Sequence, residues 1–269
     1  EEGVSLIITV DNGIASVAEV ARAKELGMDV VVTDHHRPQR EIPEAYAVVD
    51  AYQADDHGPY KDLSGAGVAL KLVMALEDGD AGSVLEEYAD LAALGTVADV
   101  VPVLGENRTI VKAGLNILSR GGRAGVDALL EQSGMEGKAA TATSLAFTVI
   151  PRINGTGRMG APERAVRLLT CDSQEEAQPL SAEICEDNER RREVEAEIAK
   201  EAMERIESEG SLLYSRVIVV DGKGWHHGVI GIVASRITER FGKPCVVISV
   251  DGNMAKGSGR SVEGFSLFQ

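Results

Sequence analysis

Two stretches of the chain decide the fold. Val4-Ser5-Leu6-Ile7-Ile8-Thr9-Val10 runs into Asp11-Asn12-Gly13, and Met28-Asp29-Val30-Val31-Val32-Thr33 runs into Asp34-His35-His36. Each is a short β-rich apolar run closed by a polar turn. Between them Ile14, Val17, Ala21 and Leu26 fall on or near one face of a helix. Two short apolar strands joined by a helix form a βαβ unit and imply a parallel sheet. A right-handed crossover brings the C-terminal ends of both strands to the same edge, where open α/β sheets bind their ligands. Asp11 and the Asp34-His35-His36 run are therefore expected to share a crevice.

Outward from this unit, Val48–Asp50 reads as a third strand and 51–62 as a polar loop. Helices are expected over 66–78, 83–97, 107–120, 124–133 and 140–148. A Gly- and Arg-rich segment at 151–160 (PRINGTGRMG) interrupts them, and a short helix follows at 162–170. From Ser173 to Glu209 comes one long charged helix, opened by Ser173 and Glu176 in capping-box spacing and kinked early by Pro179. Leu180, Ile184, Val194, Ile198, Ala202 and Ile206 keep helical spacing beyond that proline, with Asn188 and Arg191 in the same stripe. The polar pair faces either a wet cleft or a local exposed patch. A second α/β unit closes the chain: strand Arg216–Val220, helix Val229–Phe241, strand Cys245–Val250, and a further strand from Lys256. The expected fold class is α/β: a parallel-sheet domain with a helical insertion over 1–170, a long connecting helix over 171–212, and a smaller α/β domain over 213–269. The start at Glu1, just before a strand, and the stop at Gln269 with no closing element read as truncations.

Composition narrows the function classes. The 269 residues are 44% hydrophobic and 26% charged, an ordinary globular balance, and only 4% aromatic. The core is thus Val, Ile, Leu and Ala, which suits parallel strands covered by helices. A net charge of −16 argues against a broad surface that coats nucleic acid. It leaves room for a narrow groove in which bound cations supply the attraction for phosphate. Three scattered cysteines, Cys171, Cys185 and Cys245, form no C-x-x-C pair and fit a reducing compartment. No apolar run approaches the length of a membrane span, and no signal peptide is visible.

Four of the five histidines form two adjacent pairs, His35-His36 and His226-His227. Three polar groups at the end of a buried strand are costly without partners. A divalent metal satisfies Asp34-His35-His36, because imidazole and carboxylate both ligate first-row metals, and Asp11 adds a carboxylate. Helix capping or simple hydrogen bonding is the alternative. Asp99, the one acid between Ala92 and Leu104, is either a third metal carboxylate or the end of a surface helix. PRINGTGRMG, with Arg152 and Arg158, is either a phosphate-holding loop or an ordinary Gly-rich connection. Lys256–Ser261 has the same ambiguity. Trp225-His226-His227-Gly228 offers either a stacking surface or a tight turn anchored by a tryptophan.

Taken together these motifs resemble one family. Val10-Asp11-Asn12-Gly13 followed by Thr33-Asp34-His35-His36 is similar to the third and fourth motifs of DHH phosphoesterases. Ser64–Ala69, Ala93–Pro102, Asn107-Arg108, Pro151–Asn154 with Gly157–Met159, and Gly224–His226 with Gly228–Arg236 all resemble the RecJ branch, in the expected order. The resemblance implies a single-strand DNA exonuclease, acting from the 5′ end in repair and recombination, with two divalent cations, Mn²⁺ or Mg²⁺. It implies that Asp11 bridges the cations, that His35 and Asp99 each complete one site, that His36 lies by the scissile phosphate, and that Asp34 orients a histidine. Arg152, Asn154, Arg158, His226, Ser258, Arg260 and Ser261 are the implied contacts to substrate phosphate or DNA. Single-stranded DNA is the implied partner, with single-strand-binding protein and a helicase as further ones, in the cytoplasm and away from membranes.

The chain departs from that pattern in lacking the D-x-D and G-G-H motifs, so the sequence as it stands is expected to be inactive or nearly so. Asp50-Ala51 replaces the family's usual Asn-Pro, with only a loop effect expected. Two other readings compete: a short-oligonucleotide or cyclic-dinucleotide phosphodiesterase, and a non-catalytic DHH scaffold.

Overall fold

The computed structural model describes residues 3–267, so Glu1 and Gln269, where the sequence reads as cut short, lie outside the described residues. The chain divides into two compact units, Glu1–Ile150 and Pro151–Gln269.

The first unit is built on the expected βαβ element. Strand β1 (Leu6–Val10), helix α1 (Val17–Glu25) and strand β2 (Asp29–Thr33) are followed by β3 (Ala47–Val49), and the three strands form one sheet in the order β1-β2-β3. Both pairings are parallel, with Val10 opposite Thr33 and Thr33 opposite Val49. Alternation sets the faces: Val20 and Ala23 of α1 bury against Val30 and Val32, with Ile7 and Val48 packed at the margin.

Helices α2 (Gly65–Leu76), α3 (Ala81–Ala98), α4 (Gly105–Leu118) and α5 (Ala124–Gln132) follow. Leu70, Val84, Ala92 and Ile110 form the shared core of α2, α3 and α4. The α3–α4 contact is close because residue 114 is glycine. A Cβ there would lie 2.2 Å from the Ala89 carbonyl oxygen and 2.3 Å from the Ala93 Cβ. Among the described residues, no helix is long and apolar enough to cross a membrane.

A short helix α6 (Ala142–Ser144) passes through a π-helical turn (Leu145–Val149) into α7 (Ile150–Arg158). The expected Gly-rich loop at 151–160 is therefore helical through Arg158. Gly155 serves close packing rather than loop flexibility: it is buried, and a Cβ on it would lie 3.3 Å from the Asn188 Cα.

The second unit continues with α8 (Pro162–Thr170), the long α9 (Gln174–Ser208) and a short α10 (Gly210–Tyr214) that the sequence did not announce. The Ser173 hydroxyl caps α9 by accepting from the Glu176 amide, and the helix runs through Pro179 to Ser208. Strand β4 (Ile218–Lys223), helix α11 (Ile230–Phe241), and strands β5 (Cys245–Asp251) and β6 (Met254–Arg260) complete it. β4 and β5 pair in parallel, and β5 and β6 pair antiparallel. Ile198, Ala202 and Ile206 of α9 pack with Ile218, Trp225, Ile230, Val233, Ile237 and Val247 in one core.

One open alternative is decided here and one expectation changes. Trp225 is 5% exposed, donates its indole N–H to Glu201 at 2.8 Å, and stands over Gly222, so it anchors a turn and offers no stacking surface. The middle of α9 faces neither a wet cleft nor open solvent. Asn188 is 3% exposed, and Arg191 and Glu195 form a buried ion pair beside it.

The tight α3–α4 contact gives a direct stability test. Gly114→Ala forces the two helices apart and should cost roughly 1–3 kcal/mol, read as a lower urea midpoint with an unchanged helical circular-dichroism spectrum.

Candidate metal centre

Asp34 organises the site. Its side chain is 2% exposed, yet four donors reach it. The Ile14 amide donates to Oδ2 at 2.9 Å, and the His35 and His36 amides donate to Oδ1 at 2.7 and 3.2 Å. The His36 Nδ1–H donates to the same oxygen at 2.7 Å. Burial on its own would raise this carboxyl, but the donors from Ile14, His36 and His35 outweigh it and hold the group below its ordinary value. In turn the bond to Asp34 raises the His36 imidazole above its usual range against the opposing effect of burial.

Because Asp34 binds the loop after β1 to the loop after β2, Asp11 and His35 are brought face to face. Asp11 carries a φ of +62°, sparsely populated for a residue other than glycine, and its amide donates to the Thr33 carbonyl at 3.1 Å. The His35 Nε2 lies 3.0 Å from Asp11 Oδ1 and 3.3 Å from Asp99 Oδ2. Asp11, His35 and His36 each bring one donor atom within 4.8 Å of the others, and Asp99 joins at His35.

The position of Asp99 depends on two helices in close contact. Asp99 caps the C-terminus of α3, and Val100 after it has a φ of +59°, an unusual conformation for a β-branched residue. Ser64 caps α2, accepts from the Gly67 amide at 3.0 Å, and is bonded at 2.8 Å to the Thr96 hydroxyl of α3. A Cβ on Gly95 would lie 2.4 Å from the Ala66 Cβ, and one on Gly65 would lie 2.2 Å from Asp11 Oδ1. Small residues at 65, 66 and 95 thus let α2 sit between Asp11 and the end of α3. The fully buried Asn107 holds the loop after Asp99 by donating to the carbonyls of Asp62 at 2.6 Å and Pro102 at 3.0 Å.

The donor set fits a divalent cation on one observation. The His35 Nε2 is buried between two carboxylates and makes no geometrically sound hydrogen bond to either. A buried polar atom left in that state is costly, and a cation shared by imidazole and carboxylates removes the cost.

Asp50 lies in the loop after β3. It is 3% exposed, accepts from the Tyr52 amide at 2.7 Å, and burial pushes its carboxyl upward.

The other implied contacts lie in the second unit. Arg152, Asn154 and Arg158 ride on α7, Asn154 and Arg158 exposed and Arg152 half-buried. Arg158 donates to the Gly228 carbonyl at 3.2 Å, and Gly228 in turn donates to the His226 Nδ1 at 3.2 Å, so Arg158 and the His226 turn adjoin. Burial, then the neighbouring His227, lowers the His226 imidazole below its usual range. Ser258 and Arg260 both approach Gly231 of α11, and Arg260 donates to the Ser235 hydroxyl at 3.1 Å. Ser261 follows them and bonds within its own turn, to Phe265. Ser64, Thr96 and Glu195 were not singled out from sequence as site residues. The S-G-A-G run at 64–67 carried a signal for the first, a capping serine followed by small residues.

Residues 3–96 match the DHH family N-terminal domain, and residues 209–269 match the DHHA1 domain. The chain belongs to the DHH family. Its whole length aligns with the single-stranded-DNA-specific exonuclease RecJ of Bacillus subtilis, at 44% identity over 271 residues, covering 100% of this chain and 34% of that protein. The RecJ of Escherichia coli is 39% identical over 283 residues, covering 98% of this chain and 48% of that one. A crystal structure of Thermus thermophilus RecJ in complex with Mn²⁺ superposes with a TM-score of 0.84 at 39% identity, over 97% of this chain and 38% of that one. Its Mg²⁺ counterpart superposes at 0.73 with 35% identity, over 98% of this chain and 37% of that one. The DHH chain thus spans about a third to a half of the length of these relatives. The α/β architecture with a parallel sheet agrees with them.

Two measurements on the DHH chain test this geometry. In metal-free protein, an NMR titration should place the His36 midpoint above the ordinary value of 6.5, and Asp34→Asn should bring it down. Gly65→Ala should displace the Asp11 carboxylate and weaken Mn²⁺ binding by about 10–100-fold in calorimetry, with secondary structure retained. Wild-type affinity in that variant would show that the close approach is not needed.

Proposed function

We propose that this chain carries part of the catalytic core of a metal-dependent exonuclease that hydrolyses phosphodiester bonds of single-stranded DNA from the 5′ end, in DNA repair and recombination. The observation that carries the reading is the buried His35 Nε2, held between the Asp11 and Asp99 carboxylates on the sheet edge where a DHH protein would hold its cations. Alignment with RecJ relatives along the whole chain supports the substrate, and the Mn²⁺ and Mg²⁺ complexes of the structural relatives support the choice of metal.

In this reading Asp11, His35 and Asp99 hold two divalent cations, Mn²⁺ or Mg²⁺. When bound, such cations supply hydroxide at neutral pH and stabilise the attacking and leaving oxygens. Asp34 fixes the His36 ring through Nδ1, which leaves Nε2 as the atom turned to the substrate phosphate. Arg152, Asn154, Arg158, His226, Ser258, Arg260 and Ser261 would hold the strand by its phosphates. The lowered His226 imidazole is neutral at pH 7 and acts there as a hydrogen-bonding group rather than a charge.

The reading divides the chain into a DHH phosphoesterase domain at 1–170, a connecting helix at 171–212 and a DHH-associated domain at 213–269. The two family matches support the outer two. The work is assigned to the cytoplasm, with single-stranded DNA as the partner. Single-strand-binding protein and a helicase follow as partners from that substrate alone.

The test uses the full-length protein that contains this chain, with 5′-phosphorylated single-stranded and duplex DNA and added Mn²⁺. Mononucleotide release from single strands only, abolished by EDTA and lowered at least about 100-fold by Asp11→Ala, is the expected result. Metal-independent activity would overturn the mechanism, and equal activity on duplex ends would overturn the substrate.

A further inference from the structure

The middle of α9 holds a buried ionic cluster that the metal centre does not use. Asn188, Arg191 and Glu195 stand at i, i+3 and i+7 on one face of the helix. Glu195 is 2% exposed and accepts from two guanidiniums, with its Oε2 2.5 Å from Arg191 Nη1 and its Oε1 2.5 Å from Arg236 Nη2 of α11. Arg191 also donates to the Asn188 amide oxygen at 3.0 Å, while its buried Nε has no hydrogen-bond partner. Gly155 of α7 packs on Asn188 itself, and Arg158, one turn on, packs its backbone against Gly228 just ahead of α11. Glu195 thus joins Arg191 of α9 to Arg236 of α11, and Arg158 of α7 lies near enough to act on the Arg191 charge.

Two cations paired with one anion leave an excess positive charge at this spot, in a chain whose formal charge is −16. The crowding is felt electrostatically. Burial pushes the Arg191 guanidinium below its ordinary value, Glu195 opposes that, and Arg158, Arg192 and Arg236 add to it. Burying such ions is costly, and apolar residues of similar volume fill a core as well or better. Excess positive charge held in fixed geometry is useful where a polyanion binds. The Arg236 side chain, 54% exposed, is the part of the cluster that solvent and ligand reach.

We propose that Glu195 is a positioning residue, which holds Arg191 and Arg236 in place beside Arg158 so that Arg236 takes a backbone phosphate of single-stranded DNA. This inference rests on the reading of the chain as a nuclease of single strands. It adds a phosphate contact from α11 and its buried support to the residues already assigned.

The test is binding of a fluorescein-labelled, 5′-phosphorylated single-stranded oligonucleotide to this chain in EDTA, by anisotropy across a salt series. Nothing is cut without divalent cations, so the result stands apart from whether the metal centre is catalytic. Arg236→Ala should lower the slope of log K against log salt by about 0.7, the value for one phosphate contact on a single strand. Glu195→Gln separates positioning from charge. Removing a negative charge tightens binding to a polyanion if charge alone matters, whereas loss of positioning weakens it, here by roughly fivefold or more. Melting temperatures are recorded for both variants. Should Glu195→Gln fail to fold, the Arg236→Ala slope decides. Unchanged or tighter binding by folded Glu195→Gln, an unchanged slope for Arg236→Ala, or no salt-dependent binding by the parent chain would each overturn the proposal.

Discussion

The candidate centre depends on one buried carboxylate. Asp34 accepts from Ile14 in the loop after β1 and from His35 and His36 in the loop after β2, so two strand ends that merely run parallel become one rigid edge. Removing it would leave at least three backbone or ring donors unsatisfied inside the protein, each costing about 1–3 kcal/mol. The same bonds set which way the two histidines turn. The His36 ring is tied by Nδ1, while the His35 ring is left to direct Nε2 at Asp11 and Asp99. Fold and chemistry therefore share a single group.

The second constraint is steric. Asp99 lies far along the chain from Asp11, and what carries it to His35 is α2 wedged against α3, with Gly65 beneath the Asp11 carboxylate and Gly95 beneath Ala66. Backbone strain falls at the same place. Of the three non-glycine residues with positive φ among those described, two are here: Asp11 is itself a candidate ligand and Val100 directly follows another, while Asp78 lies in the turn after α2. Strained backbone at a site persists only where the surroundings over-determine it, and Ser64, Thr96 and Asn107 supply that buried scaffolding here.

Much of this was legible in the residues. The short β-rich apolar runs at 4–10 and 28–33, each ending in acids or histidines, were enough for the parallel sheet and for the shared crevice of Asp11 and Asp34–His36. Asp99 was ambiguous because a lone acid at a helix end has the same local signature whether or not the tertiary fold brings a histidine to it. The stretch 151–160 misled because glycine signals both a loop and close helix packing, and only the neighbour, Asn188, distinguishes them. Trp225 was open between a stacking surface and a turn anchor because its turn is polar, and its ring, filling the space over Gly222, decides for the anchor. Glu195 was invisible: one glutamate among many on a charged helix, buried where Arg191 and Arg236 of α11 both pair with it.

The central claim is that the His35 Nε2, flanked by Asp11 and Asp99, is a cation ligand. The most direct measurement is anomalous diffraction at the manganese edge from crystals of this chain grown with Mn²⁺. The account predicts a peak within coordination distance of the His35 Nε2 and of at least one of the two carboxylates. Manganese bound elsewhere while the imidazole keeps its present contacts would contradict it.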